Sequence, residues 1–211
     1  MRSVLVIGAT GLVGSECIRL LVEDPTCSRI VVVARSPRPA SLDSQKIEWN
    51  QCSFDELAVH PEYFEVDQII CAMGTTVRKT PSRDEYRKID YEYPLTAARL
   101  GRQLGARHFL VVTALGADSR SPIFYNRLKG EVEDSLMKLD YPSLTIARPS
   151  VLVGDRKESR RSEKLAWKFG FLMPKKYKPV QVASVARALV NAARLDLPGV
   201  RIIQNKDILQ P

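Results

Sequence analysis

Val4-Leu5-Val6-Ile7-Gly8-Ala9-Thr10-Gly11-Leu12-Val13-Gly14-Ser15 is the stretch whose reading decides the fold. Its first four residues are apolar and mostly β-branched, the pattern of a buried strand. Glycines recur at positions 8, 11 and 14, and Leu12, Val13, Cys17, Ile18, Leu20 and Leu21 then carry a helical apolar period. The layout is strand, tight turn, helix. A helix opening on such a turn presents unpaired backbone N–H groups and the positive end of its dipole, both suited to a pyrophosphate. Gly8 is expected to permit the turn, Gly11 to let a phosphate approach the backbone, and Gly14 to bring helix and strand close. Thr10, Leu12 and Val13, set among these glycines, complete the expected binding run. The spacing is G-x-x-G-x-x-G, not the G-x-G-x-x-G of the general dinucleotide fingerprint.

Working outward, the chain of 211 residues is long enough for one well-cored domain and short for two. No run is apolar enough to span a bilayer, and no signal peptide precedes the first strand, from which a cytoplasmic location is expected. The four cysteines, Cys17, Cys27, Cys52 and Cys71, form no C-x-x-C pair, and with only two histidines no metal site is expected. The net charge of +8 is spread along the chain, denser at 156–161 and 175–178. No recognition motif or aromatic interleaving accompanies it, so a basic rim around an anionic cofactor is expected and nucleic-acid binding is not.

Strands and helices alternate, which predicts a Rossmann-type α/β fold: a doubly wound parallel sheet covered on both faces. Strands are expected at Ser3–Ile7, Ile30–Ala34, Ile47–Trp49, Val66–Ala72, Phe109–Thr113, Leu144–Ala147 and Val200–Ile203. Helices are expected at Leu12–Glu23, from Ser82 to Leu104 with a break before Pro94, and at Pro122–Leu139, Ser162–Phe171 and Val182–Leu195. Residues 1–211 are expected to form a single domain, with 155–211 as a small C-terminal cap over the substrate.

The end of the second strand decides between cofactors in this fold, an acid favouring NAD and a base the 2′-phosphate of NADP. Here it ends in Arg35, 21 residues past Gly14, with Arg38 close behind and no acid at the position. NADP is therefore the expected cofactor, its phosphate held by a guanidinium fork. The fourth strand runs into Ala72, Met73 and Gly74, where the glycine would let the loop approach the adenosine half.

The chain has one Y-x-x-x-K, Tyr125 to Lys129, four apart and so on one helix face. A phenol with its usual pKa near 10 carries protons poorly at neutral pH. A lysine ammonium and a positive nicotinamide would lower that value, so the tyrosine could give a proton to a carbonyl oxygen as hydride reaches its carbon. Lys129 could also hold ribose hydroxyls. Thr113, at the end of the fifth strand, could donate to the same substrate oxygen. The sixth strand exits through Pro149, Ser150 and Val151, whose backbone groups could meet the carboxamide.

Together these residues resemble the short-chain dehydrogenase/reductase superfamily, through Gly8-x-x-Gly11-x-x-Gly14, Tyr125-x-x-x-Lys129 and Arg148-Pro149-Ser150 in the family's order. The chain is similar to its atypical branch with a short C-terminal region, and within it to the Tat-interacting-protein oxidoreductase-like group. Cys71-Ala72-Met73-Gly74-Thr75-Thr76, Gly116-Ala117-Asp118 and Lys129-Gly130-Glu131-Val132-Glu133 carry that likeness. It implies NADP(H) binding and reduction of a small or lipophilic carbonyl, or the reverse oxidation. The family usually places a serine pair where this chain has Thr113-Ala114. The resemblance also makes a homodimer through the helices around 91–104 and 123–139 an expectation. A non-catalytic NADPH-binding regulator is the alternative. A third expectation is a membrane or polyanion surface formed by Leu165, Trp167, Phe169, Phe171 and Leu172 with Lys168, Lys175, Lys176 and Lys178.

Overall fold

The computed structural model describes residues 1–75, 82–154 and 174–209. Seven parallel strands form the central sheet: β1 (Arg2–Ile7), β2 (Cys27–Ala34), β3 (Ile47–Gln51), β4 (Gln68–Cys71), β5 (His108–Val112), β6 (Ser143–Arg148) and β9 (Gly199–Gln204). Their order is β3-β2-β1-β4-β5-β6-β9, so the winding reverses between β1 and β4. Ligands of such sheets bind at the carboxyl ends of the strands beside that reversal. A second, two-stranded ribbon pairs β7 (Leu152–Val153) with β8 (Val180–Gln181).

The central strands are apolar on both sides because both sides are covered. Val4 to Ile7 and Ile30 to Val33 have no exposed surface. Their alternate residues divide between two cores. Val4, Val6, Ile30 and Val32 meet α1 (Leu12–Glu23) and α5 (Val182–Leu195). Leu5, Ile7, Val31 and Val33 face the side carrying α3 (Tyr93–Gln103) and α4 (Phe124–Met137). Short helices α2 (Arg83–Arg87) and α6 (Asn205–Ile208) complete the fold.

Two features depart from the sequence expectations, and one expectation has no described counterpart. The break before Pro94 is absent: α2 continues through a π turn, Lys88–Glu92, directly into α3. Proline has no N–H and its ring collides with the carbonyl four residues back, here that of Asp90. The widened turn, with Tyr93 N–H bonded to the Lys88 carbonyl, accommodates it without ending the helix. Next, the segment expected as a cap contributes to the main layers, because α5 packs along α1 and β9 pairs with β6 from Ser143↔Gly199 to Arg148↔Gln204. Finally, the helix expected at Ser162–Phe171, with the aromatic and basic residues of 165–172, lies outside the described residues.

At the opposite end of the sheet from the ligand edge, His108 is sealed in. Its Nε2 lies 2.9 Å from Thr145 Oγ1 and its Nδ1 3.0 Å from Asp196 Oδ1. Asp196 ends α5 in the left-handed conformation, with φ 45°. Burial pushes the His108 imidazole down to about 4, although the Asp196 carboxylate pulls the other way.

Candidate active site

The turn between β1 and α1 is fixed by contacts no other residue type would permit. Gly8 has φ +87°, and a Cβ there would lie 2.6 Å from the Ala72 carbonyl carbon. A Cβ on Gly14 would come within 2.2 Å of the Gly8 carbonyl oxygen. Gly11 is less confined, since its Cβ would meet only that oxygen, at 3.1 Å. Gly11 is the N-cap of α1 and offers no side chain to cap the N–H groups of the first turn. A helix start without a side-chain cap, with no Cβ at Gly11, fits a diphosphate.

A cleft of about 190 Å³ opens above this turn, walled by Gly8 to Gly11, Arg35, Phe54, Ala72 to Gly74 and Ile89. The Arg35 guanidinium stacks 5.5 Å above the Phe54 ring, while Arg38 is tied to its own loop through Leu42, Asp43 and Ser44. Of the two, only Arg35 lines the cleft. Phe54 and Ile89 were not legible as site residues, since their distance along the chain from the glycines hides their proximity.

A second cleft, of about 280 Å³, continues past Gly11, Leu12, Val13 and Met73 to Thr113, Tyr125, Lys129 and an unexpected member, Asp90. Lys129 Nζ lies 2.6 Å from Asp90 Oδ1, and both side chains are almost fully buried. The other Asp90 oxygen accepts the Thr75 N–H at 2.9 Å. Burial works against the charge on Lys129, but the Asp90 carboxylate outweighs it and holds the ammonium above its ordinary value. Burial also raises the Tyr125 phenol; Lys129 opposes that rise and Asp90 reinforces it. The Lys129 charge is thus shared between Asp90 and the phenol, and of the two influences expected to lower the phenol, lysine and nicotinamide, the lysine by itself does not outweigh burial.

Thr113 lines the same cleft as Tyr125, but its proton goes to Glu133. Its hydroxyl donates to Glu133 Oε1 at 2.6 Å. Glu133, 1% exposed, also receives the Arg148 guanidinium through Nε, at 3.0 Å, and Nη2. Tyr125, Lys129 and Glu133 follow one another at spacing four on α4, a stripe that could have revealed Glu133. The strand exit differs too. Ser150 N–H donates to Asn205 Oδ1 at 2.8 Å, its hydroxyl to the Lys178 carbonyl, and the Pro149 and Val151 carbonyls accept Leu115 and Val180 N–H groups. These groups hold the ribbon together, so the expected contact of Ser150 N–H with a carboxamide is not available. Among the described residues no cluster of metal-ligating side chains occurs, and no helix is long and apolar enough to cross a membrane.

Sheet order, glycine turn and the Tyr-Lys cleft together define an atypical short-chain dehydrogenase/reductase, a NAD(P)-binding oxidoreductase family. The chain belongs to the HIM1 family, whose model matches residues 41–178. It is 31% identical over 218 residues to Protein HTATIP2 of Rattus norvegicus, covering 99% of this chain and 88% of that protein. It is 28% identical over 207 residues to "Protein FMP52, mitochondrial" of Candida albicans, covering 93% and 90%. The fold is shared with the UDP-glucose 4-epimerase of Thermotoga maritima, solved with UDP-glucose, at a TM-score of 0.70 and 16% identity over 90% of this chain and 72% of that one. It is shared likewise with Bordetella bronchiseptica WbmH, solved in complex with NAD+, at a TM-score of 0.73 and 16% identity over 97% and 75%. The cytoplasmic expectation is overturned, because the Candida albicans, Emericella nidulans and Lodderomyces elongisporus relatives are all named as mitochondrial.

Proposed function

We propose that the protein is an NADP(H)-dependent reductase of a small carbonyl compound, with Tyr125 as proton donor. The observation that carries this is the continuity of the two clefts: Gly11, Ala72, Met73 and Gly74 line both, joining the bare start of α1 to the Tyr125–Lys129 pair. The nicotinamide, when bound, supplies the hydride. Backbone N–H groups of Leu12 and Val13 bind the diphosphate, and Arg35 takes the 2′-phosphate, with no acid nearby to favour a free hydroxyl. Lys129, fixed by Asp90, orients the nicotinamide ribose and the phenol. Tyr125 then hands its proton to the carbonyl oxygen, a transfer that a neighbouring positive charge favours. Thr113 acts through Glu133 as a positioning residue rather than as a second donor. The relatives' names support a mitochondrial location.

The test is NADPH consumption across a set of aldehydes and ketones by the wild type and Tyr125→Phe. Turnover by the wild type and its loss by at least about 100-fold in the variant are expected, the usual scale of general-acid catalysis. Equal turnover in both overturns the assignment. One observation favours a second reading, a nucleotide-binding regulator without turnover: the Thr113 hydroxyl is committed to Glu133. NADPH binding with no turnover of any carbonyl would select it.

A further inference from the structure

Beyond the Tyr125 cleft, across the turn that follows β5, lies a larger cavity of about 800 Å³. That size suits a whole small-molecule ligand. Its lining includes Gly116, Asn126, Arg148, Lys176, Tyr177 and Lys206, and no carboxylate among the described residues. Tyr125 lines the first of these cavities and Asn126, the next residue, lines the second, so both open on the same turn of α4.

Buried anchors hold the Arg148 guanidinium and the backbone that carries Lys176. Glu133 grips Arg148 through Nε and Nη2, leaving Nη1 as the edge with no protein acceptor among the described residues. Asn205, with no exposed surface, donates to the Lys176 carbonyl at 3.2 Å and the Lys178 carbonyl at 2.8 Å, and accepts from Ser150 N–H. It thereby fixes the backbone that carries Lys176, while Lys206 is its next neighbour in sequence. The nearest acid on that turn, Asp207, accepts the Gln204 N–H. Among the described residues neither Lys176 nor Lys206 has a carboxylate partner within salt-bridge distance. With no such partner of their own, Lys176 and Lys206 are left to pair with an arriving anion, and charge-assisted hydrogen bonds of this kind are stronger than neutral ones.

We propose that this cavity binds an anionic head group, a carboxylate or a phosphate, of the carbonyl substrate, with Lys176 and Lys206 as the specificity-determining residues. The inference rests on Tyr125 being the proton donor to that substrate. A matched pair of probes tests it: 4-carboxybenzaldehyde and its neutral methyl ester, each reduced with NADPH. The wild type should prefer the acid by about tenfold or more in kcat/KM. Lys176→Gln/Lys206→Gln should abolish that preference through KM, leaving kcat and the ester unchanged. A control with equal charge loss elsewhere, Arg99→Gln/Lys138→Gln, should retain it.

Titration with terephthalate, which cannot be reduced, followed by NMR, separates the two readings. Terephthalate binding that the double variant loses supports the anion site even if no aldehyde is turned over. Inorganic phosphate titrated in parallel tells which head group is preferred. No acid preference together with no terephthalate or phosphate binding, or binding undiminished in the variant, overturns the site, whatever Tyr125→Phe shows.

Discussion

Lys129 and Asp90 form an ion pair of 2.6 Å inside the protein, joining α4 to the π turn ahead of Pro94. Asp90 is what allows a lysine so deeply buried to keep its charge. The pair also sets the phenol, because Tyr125 lies beside both charges and feels them with opposite sign.

Asp90→Asn should therefore leave an unpaired ammonium in the interior. Loss of one partner of a buried pair costs about 3–5 kcal/mol, to be read from urea denaturation. Asp90 raises the Tyr125 phenol, so over the pH range in which the unpaired Lys129 stays charged its removal lowers it. Carbonyl reduction needs the protonated phenol, and its rate should then fall off at a lower pH in the variant than in the wild type. An unchanged alkaline limb would show that Asp90 does not tune the tyrosine.

The three glycines should separate by phenotype. Gly8→Ala places a Cβ 2.6 Å from the Ala72 carbonyl carbon, in a backbone conformation side chains avoid, and a loss of about 2 kcal/mol or more is expected. Gly11→Ala meets only one oxygen at 3.1 Å and should fold nearly as well. It should nevertheless weaken NADPH by tenfold or more, because the methyl group occupies the phosphate's approach. Thermal melts and fluorescence titrations of both variants check this contrast.

Arg35→Ala should weaken NADPH at least tenfold while changing NADH little, as measured by competing titrations. Arg38→Ala should alter neither ratio, since that guanidinium serves its own loop. Equal losses for both cofactors in Arg35→Ala would remove the 2′-phosphate from the account.

Stability should decline on acidification through His108. Its folded value of about 4 lies below the ordinary 6.5, so between these the unfolded chain binds more protons than the folded one. The contribution is complete above pH 6.5 and is lost as pH falls toward 4, a change on the order of 3 kcal/mol. Denaturation midpoints of the wild type and His108→Gln, compared across that range, should show a shallower decline in the variant.

The parts legible in the sequence were those fixed by local periodicity. Helices α1 and α5 run over Leu12–Glu23 and Val182–Leu195, the bounds their apolar patterns predict. Gly8 and Gly14 announced a turn that only glycine can make. What stayed hidden depends on partners distant in the chain. Asp90 reads as one more charge in a polar helix until the π turn carries it to Lys129. The direction of the Thr113 proton depends on Glu133, twenty residues on. Strand β9 looked like part of an appendage because a single short strand cannot reveal which neighbour it will join.

The contact between Gly8 and Ala72 has a mechanical corollary. No methyl group fits between them, and the Ala72 N–H bonds the Ile7 carbonyl at 2.9 Å, so the loop leading to Met73 and Gly74 can neither close further on the first turn nor recede without giving up its tie to β1. The floor of the cofactor groove is in that sense a single casting, and opening for entry or release of a nucleotide has to come from the walls.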